Sequence, residues 1–500
     1  MEGIISTSER LDKRNSSHLK SYDHTTSKFR HESYAVELRK KIRRNFFNKK
    51  RTLEPITLDS NLSSELKAYI DQNYNSYNTY QEKIYILFQI ITDDSLSLQS
   101  KNYCFSLCSR HLNETENIIF FLNSSYLPIF LSYLRSENES TLLQTTHILA
   151  NLTYADSDSC EILLDNNILP IILWIIENYN GVIQSNCLWA LTNLCVDSPR
   201  TQKSLISLDF FKKIIQSIKN NDNYNEKCYM LLAYMIKQIK DIKMTDQALD
   251  LIHKALCDRN KDKEIILACL FTIFHITKED INWIDKVLDY EGMGENIVYY
   301  ANVDDNDIVF KAVKVIGNMV SYRNCHTQYM MEYGILDVFY KLIDHKIKKK
   351  IREEALFALG NVVGGDASQV REVFKREGLL DKVMNGIVDC DVDVRKEAWQ
   401  VFLLISRFKN KDFTLKLLEK GILQQALISV SIEIEQNNIL VALSFFENCL
   451  IAGAIDDYNT IVPLFHEHQI FDYILNLNSS NFQDFIPITK RIIDNFCKYI

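Results

Sequence analysis

Trp189, Asn193 and Asp197 stand four residues apart in the stretch "NCLWALTNLCVDSPR" (186–200). On a helix this spacing lines three side chains along one face. An indole offers a flat π surface to a cation and an apolar wall to its methylene stem. A primary amide offers N–H donors and a carbonyl acceptor, which suit the C=O and N–H of an extended peptide backbone. A carboxylate at the end of the row pairs with an ammonium or guanidinium head. The set is suited to holding a basic peptide rather than to making or breaking bonds. A lone tryptophan at helical spacing is ordinarily core, however, and a lone asparagine a cap or a surface residue.

What changes the reading is recurrence. The same i, i+4 relation is found in His147 and Asn151, Met230 and Tyr234, Phe271 and His275, and Lys314 and Asn318. It continues in Phe357 and Asn361, Gln400 and Leu404, and Ser444 and Asn448. The second members fall at 151, 193, 234, 275, 318, 361, 404 and 448, in steps of 42, 41, 41, 43, 43, 43 and 44. One further step back reaches Ser109 in "YCFSLCSR". Five of the nine positions are Asn, a poor choice inside otherwise apolar helices. Such a ladder suits a peptide backbone; it is also suited to stitching neighbouring helices together.

Each period has its own grammar. An amphipathic segment with a small or turn-forming residue comes first, as in "LDNNILPIILWII", "MEYGILDVFYKLI" and "KREGLLDKVMNGI". A polar turn and a charged helix start follow, as in "IKKKIREEALFALGN" and "CDVDVRKEAWQVFLL". Asn167, Gly334 and Gly378 suit a sharp bend between two short helices. A period of 40–47 residues is that of armadillo and HEAT helical repeats, whose single units cannot bury both helix faces and must stack. The expectation is an all-α, right-handed superhelical solenoid of about nine to ten armadillo repeats, with a concave surface lined by the ladder and a flexible basic arm in front.

Composition agrees. Thirteen Gly and six Pro in 500 residues cannot punctuate many short strands, while 46% apolar residues can fill a long core. No run of 18 or more uncharged apolar residues occurs, so no membrane-spanning helix is expected. The start, "MEGIISTSERLDKRNSS", lacks an apolar secretory core. Twelve cysteines show no CxxC pair and no zinc spacing; even Cys104 and Cys108 lack a His/Cys partner set, so buried reduced thiols are expected. Gly-rich phosphate loops, nucleophile elbows and HExxH are absent, which argues against an enzyme and against cofactors.

The net charge of −8 hides an asymmetry. Residues 1–51 carry 14 Lys+Arg against 6 Asp+Glu, leaving 43 basic against 59 acidic in the rest. The core of the arm, "VELRKKIRRNFFNKKR" (36–51), has eight basic residues and one acidic, interleaved with Val36, Leu38, Ile42, Phe46 and Phe47. Such a segment suits nucleic acid, a localisation signal, a helix docking into an acidic protein groove, or a solvated tail.

The arm and the ladder together resemble the importin-α family. "VELRKKIRRNFFNKKR" resembles its importin-β-binding segment. "LWALTNLCVDSPR", "LFALGNVVGGD" and "VALSFFENCLIAG" resemble its W-A-L-x-N and V-A-L-x-x-x-E-N repeat signatures, in order from about residue 28 to the C-terminus. The resemblance implies a nuclear import adaptor that shuttles between cytoplasm and nucleus. Its partners would be importin-β, cargo proteins with basic localisation signals, and an export receptor of the CAS type; neither membrane nor direct nucleic-acid binding is implied. It implies residues 1–55 as arm, 56–455 as repeats forming the cargo groove and 456–500 as a last repeat for export-receptor binding. It places a major cargo site at His147, Asn151, Trp189, Asn193, Asp197, Met230 and Tyr234. It places a minor site at Lys314, Asn318, Glu354, Phe357, Asn361, Glu397, Gln400 and Asn448. Arg39, Lys40, Lys41, Arg43, Arg44, Lys49, Lys50 and Arg51 would bind importin-β or fold back onto the groove. An armadillo scaffold for other peptide partners is the alternative.

The departures from the family pattern also carry expectations. His147, Met230, Phe357 and Gln400 stand where the family has tryptophan, so monopartite basic signals are expected to bind weakly, with Trp189 and Asp197 dominating. Trp399, one place out of register, is expected in the core.

Overall fold

The computed structural model describes residues 68, 71, 72 and 74–496, apart from 113, 208, 221–224, 237, 238, 240, 241, 280, 281, 456, 457, 480 and 481. The basic arm, with Arg39, Lys40, Lys41, Arg43, Arg44, Lys49, Lys50 and Arg51, lies outside them. Between Tyr80 and Phe496 the chain forms 28 helices. The strand pairing among the described residues is one antiparallel bridge of two residues a side, Ala454–Ile455 with Tyr458–Asn459. The helices fall into two compact units that divide between Ala255 and Leu256.

In the first unit, helices Tyr80–Thr92 and Leu98–His111 precede three triplets. These are Thr115–Leu122, Leu127–Tyr133 and Glu139–Leu152; Ser157–Asp165, Ile168–Asn178 and Gly181–Asp197; and Pro199–Ser207, Phe210–Asn220 and Asn225–Met235. The third helix of each triplet carries the ladder, and each ladder helix packs on the ladder helix of the next triplet. That placement explains its composition. Gly181–Asp197 buries every residue from Asn186 to Cys195, so it is apolar nearly all round. The outer helices show one stripe instead: Phe210–Asn220 buries Phe210, Phe211, Ile214, Ile215 and Ile218 and turns its lysines outward.

The second unit repeats the plan. Ladder helix Lys263–Glu279 is followed by triplets ending in Asn306–Met319, Lys349–Val363, Val392–Ser406, Gln436–Gly453 and Ile486–Phe496, again packed in series.

In every triplet but the first, where Asn123 and Tyr126 keep negative φ, the bend between the first two helices has one local cause. Asn167 (φ 55°) and Asp209 (φ 55°) in the first unit, and Gly292, Gly334, Gly378, Gly421 and Gln469 (φ 57–84°) in the second, sit in the left-handed region. Each ends one helix and starts the next at an angle, 84° at Asn167. Asn167, Gly334 and Gly378 are the bend residues expected from the sequence. In "IKMTDQALDLIHKALC", which has neither glycine nor asparagine, one helix, Ile242–Cys257, stands where the other repeats have two short ones.

Of the eleven cysteines among the described residues, eight are buried, and Cys257, Cys325 and Cys390 are exposed. Burial pushes the Cys104 thiol up to about 12, an inert rather than a nucleophilic setting. No single helix among the described residues is long and apolar enough to cross a membrane.

Candidate functional site

The ladder positions fall on the ladder helices in register, one rung per helix. In the first unit Asn151 and Asn193 are buried and His147 and Met230 half-buried, while Trp189 and Tyr234 are 4% and 7% exposed. Asp197 is half-buried and is the last residue of its helix, where the peptide dipoles already favour a cation. The Cys160 thiol donates to its carboxylate at 3.9 Å.

The asparagine amides reach backwards. Asn151 Nδ2 donates to the Ser109 carbonyl at 3.2 Å, and Asn193 Nδ2 to Thr153 Oγ1 at 3.2 Å. In the second unit Asn318 donates to the Phe274 carbonyl (3.0 Å) and to Thr277 Oγ1 (3.2 Å). Asn361 donates to the Gly317 carbonyl and Asn448 to Ser406 Oγ, both at 3.2 Å. Every asparagine of the ladder therefore ties its helix to the preceding one. The stitching reading is realised through the amide nitrogen, by two bonds at Asn318 and by one at Asn193, whose amide has two N–H groups and a carbonyl oxygen. The acceptors Thr153, Thr277 and Ser406 each lie two residues beyond a rung position. A hydroxyl at that offset is the sequence signal that announces the stitch.

The rungs without asparagine show what replaces it. Leu404 covers two glycines of the preceding helix: a methyl added at Gly360 or Gly364 would lie 3.7 Å from it. On the rung that keeps Asn361, Phe357 also lies against Gly317, 3.8 Å from a methyl built there. Trp399 is core as expected, 1% exposed, its indole N–H donating to Ser429 Oγ at 3.0 Å and its ring packed on Phe445 and Phe446. Gln400 and Glu397 are both buried on that helix. Glu354 meets a member of its own expected site: its carboxylate lies 3.4 Å from Lys314 Nζ.

No family model matches the chain. It is 20% identical over 383 residues to importin subunit alpha-1a of Oryza sativa subsp. japonica, covering 76% of this chain and 70% of that protein. It is 19% identical over 333 residues to importin subunit alpha-3 of Arabidopsis thaliana, covering 65% and 61%. A crystal structure of an engineered protein aligns with a TM-score of 0.69 at 13% identity, over 84% of this chain and 99% of that one. Each unit is an all-α solenoid of helical repeats.

Each rung offers an amide, an aromatic or sulfur-bearing neighbour one turn earlier, or both. The first unit adds one carboxylate, Asp197, directly in the row. In the second unit a metal-like grouping of Asp389, Cys390 and Asp391 is also present. Its carboxylates already hold Arg352, at 3.0 Å from Asp389 and 3.3 Å from Asp391.

Proposed function

We propose that the chain is a peptide-binding adaptor of nuclear import, taking up basic localisation signals along its ladder and linking them to importin-β through the arm at 1–55. The observation that carries this reading is the Trp189–Asn193–Asp197 row. It joins an indole, an amide and a carboxylate at successive turns of one ladder helix, in a chain similar to importin-α proteins. A lysine stem would lie on the Trp189 indole, its ammonium would meet Asp197, and the peptide backbone would meet the amide groups of Asn193 that the stitch does not use. His147, Asn151, Met230 and Tyr234 would extend this site. Asn318, Phe357, Asn361, Glu397, Gln400 and Asn448 would form the second one, in the other unit.

The resemblance of the arm to the importin-β-binding segment supports the adaptor role over an armadillo scaffold for other peptides. A pull-down on immobilised importin-β, with the full chain and with a chain lacking residues 1–51, tests it. Capture of the full chain only is expected. Equal capture of both, or of neither, overturns the adaptor reading.

A further inference from the structure

One contact recurs between neighbouring repeats. The residue five places before a rung meets the next repeat's second helix, at the residue eight places after its left-handed bend. In the second unit the space between the two is closed in two ways. Leu356 meets Gly386, eight places after Gly378. A methyl built on that glycine would lie 3.8 Å from Leu356 and 3.0 Å from the Ala398 side chain, so small residues let the helices come together. Trp399 meets Ser429, eight places after Gly421. There the indole fills the space, and its N–H donates to Ser429 Oγ at 3.0 Å.

The counterparts in the first unit are Leu188, five places before Asn193, and Ser217, eight places after Asp209. Leucine is smaller than tryptophan and serine is larger than glycine, so neither closure is available. A cavity of about 190 Å³ lies at this contact. Ile176, Leu188, Phe210, Ile214 and Cys228 give it an apolar lining, with Ser217 in the wall. Gln184, also in the wall, donates to the Ile176 carbonyl at 2.9 Å. The exposed Glu177–Lys213 ion pair stands at the rim. An apolar cavity of about 150 Å³ takes up benzene, so this one has room for a second ring. We propose that it binds an indole: a flat, bicyclic ring whose N–H donates to Ser217 Oγ, as the Trp399 indole donates to Ser429. The ring arrives as a free heterocycle or as the tryptophan side chain of another protein.

Calorimetry tests it with two ligands, indole and benzothiophene, which has the same ring shape without the N–H. The unaltered chain is expected to bind both, indole more tightly. Ser217→Ala is expected to weaken indole about fivefold, as loss of one neutral hydrogen bond does, and to leave benzothiophene within about twofold. Leu188→Trp puts the chain's own ring into the cavity and is expected to weaken both ligands by about tenfold or more. Should that variant not fold, as read by circular dichroism, Ser217→Ala carries the test alone. No binding of indole to the unaltered chain, or the same change for both ligands in Ser217→Ala, overturns the proposal. Undiminished binding to a folded Leu188→Trp overturns it as well. N-acetyltryptophanamide identifies the source of the ring. Affinity within about tenfold of that of indole marks a tryptophan side chain as the occupant, and weaker binding marks a free heterocycle; either supports the proposal.

Discussion

Asn193 divides one amide between two tasks, and its neighbours allow the two to be separated. One N–H goes to Thr153 Oγ1 at 3.2 Å. Thr153→Val removes that acceptor from a fully buried position. It is expected to lower stability by about 1–3 kcal/mol through an unpaired N–H, while leaving basic-peptide affinity within about twofold. Asn193→Ala is expected to lower both. Urea titrations and calorimetry on the two variants decide this, and a loss of affinity in Thr153→Val would show that stitch and reading are one function. Asp197→Ala is expected to cost about 1–3 kcal/mol of basic-peptide binding, as loss of a charge-assisted hydrogen bond does. Calorimetry showing no loss removes Asp197 from the site. The peptide chemistry at this scale was legible because Asn is out of place in an apolar helix. The stitch was not, because it depends on which atoms of the preceding helix lie opposite. The hydroxyls of Thr153, Thr277 and Ser406 gain meaning only once neighbouring helices are laid side by side.

At the scale of the element, the repeat was the most legible feature. The 41–44-residue step fixes a ladder helix, and the turn residues fix the bend before it. Gly334 and Gly378 announced their bends by type. Asp209 and Gln469, at φ 55° and 57°, did not, since residues other than glycine adopt this conformation uncommonly, Asp more readily than Gln. The bend makes a clean energetic prediction at Gly421, where φ is 82° and an added methyl would meet no atom within 4 Å. Gly421→Ala therefore tests backbone conformation alone and is expected to destabilise the chain by about 1–2 kcal/mol. Gln469→Gly should act in the opposite direction, by about 0.5–1 kcal/mol. Denaturant midpoints measure both, and an unchanged midpoint for Gly421→Ala would mean that the bend is not under conformational control. The helix Ile242–Cys257, which has no glycine or asparagine, runs on without a bend.

At the scale of the whole molecule, the two units differ in how successive repeats are tied. The second unit adds ion pairs at the starts of its ladder helices. Lys263 holds Asp305 and Asp307, Lys349 holds Asp391 and Asp393, Arg352 holds Asp389 and Asp391, and Arg395 holds Glu433. In the first unit, pairs such as Arg200 with Glu161 and Asp165 join exposed partners, which contribute little. The Arg395–Glu433 pair is buried and two-pronged, at 2.9 and 3.0 Å. Burial alone would raise the Glu433 carboxyl. The hydrogen bonds from Arg395, from Asn438 and from the Glu435 backbone outweigh it and hold the group at about 2. Asp305 is held low in the same way, burial being outweighed by Lys263 and by the backbone N–H groups of Ile308 and Asp307. A carboxylate whose folded pKa lies below its unfolded value stabilises the fold above the unfolded value, about 4.3 for Glu, and loses that contribution as pH falls toward the folded one. Between about pH 4.3 and pH 2 the second unit should therefore weaken more than the first. Hydrogen exchange read by mass spectrometry at pH 7 and pH 3.5, corrected for intrinsic exchange rates, is expected to show protection lost first across residues 256–453. Glu433→Gln should bring part of that loss to pH 7, at a cost of about 3–5 kcal/mol for breaking a buried pair. Equal loss in both units at pH 3.5 would mean that the ion pairs do not set the acid stability of the repeats they join.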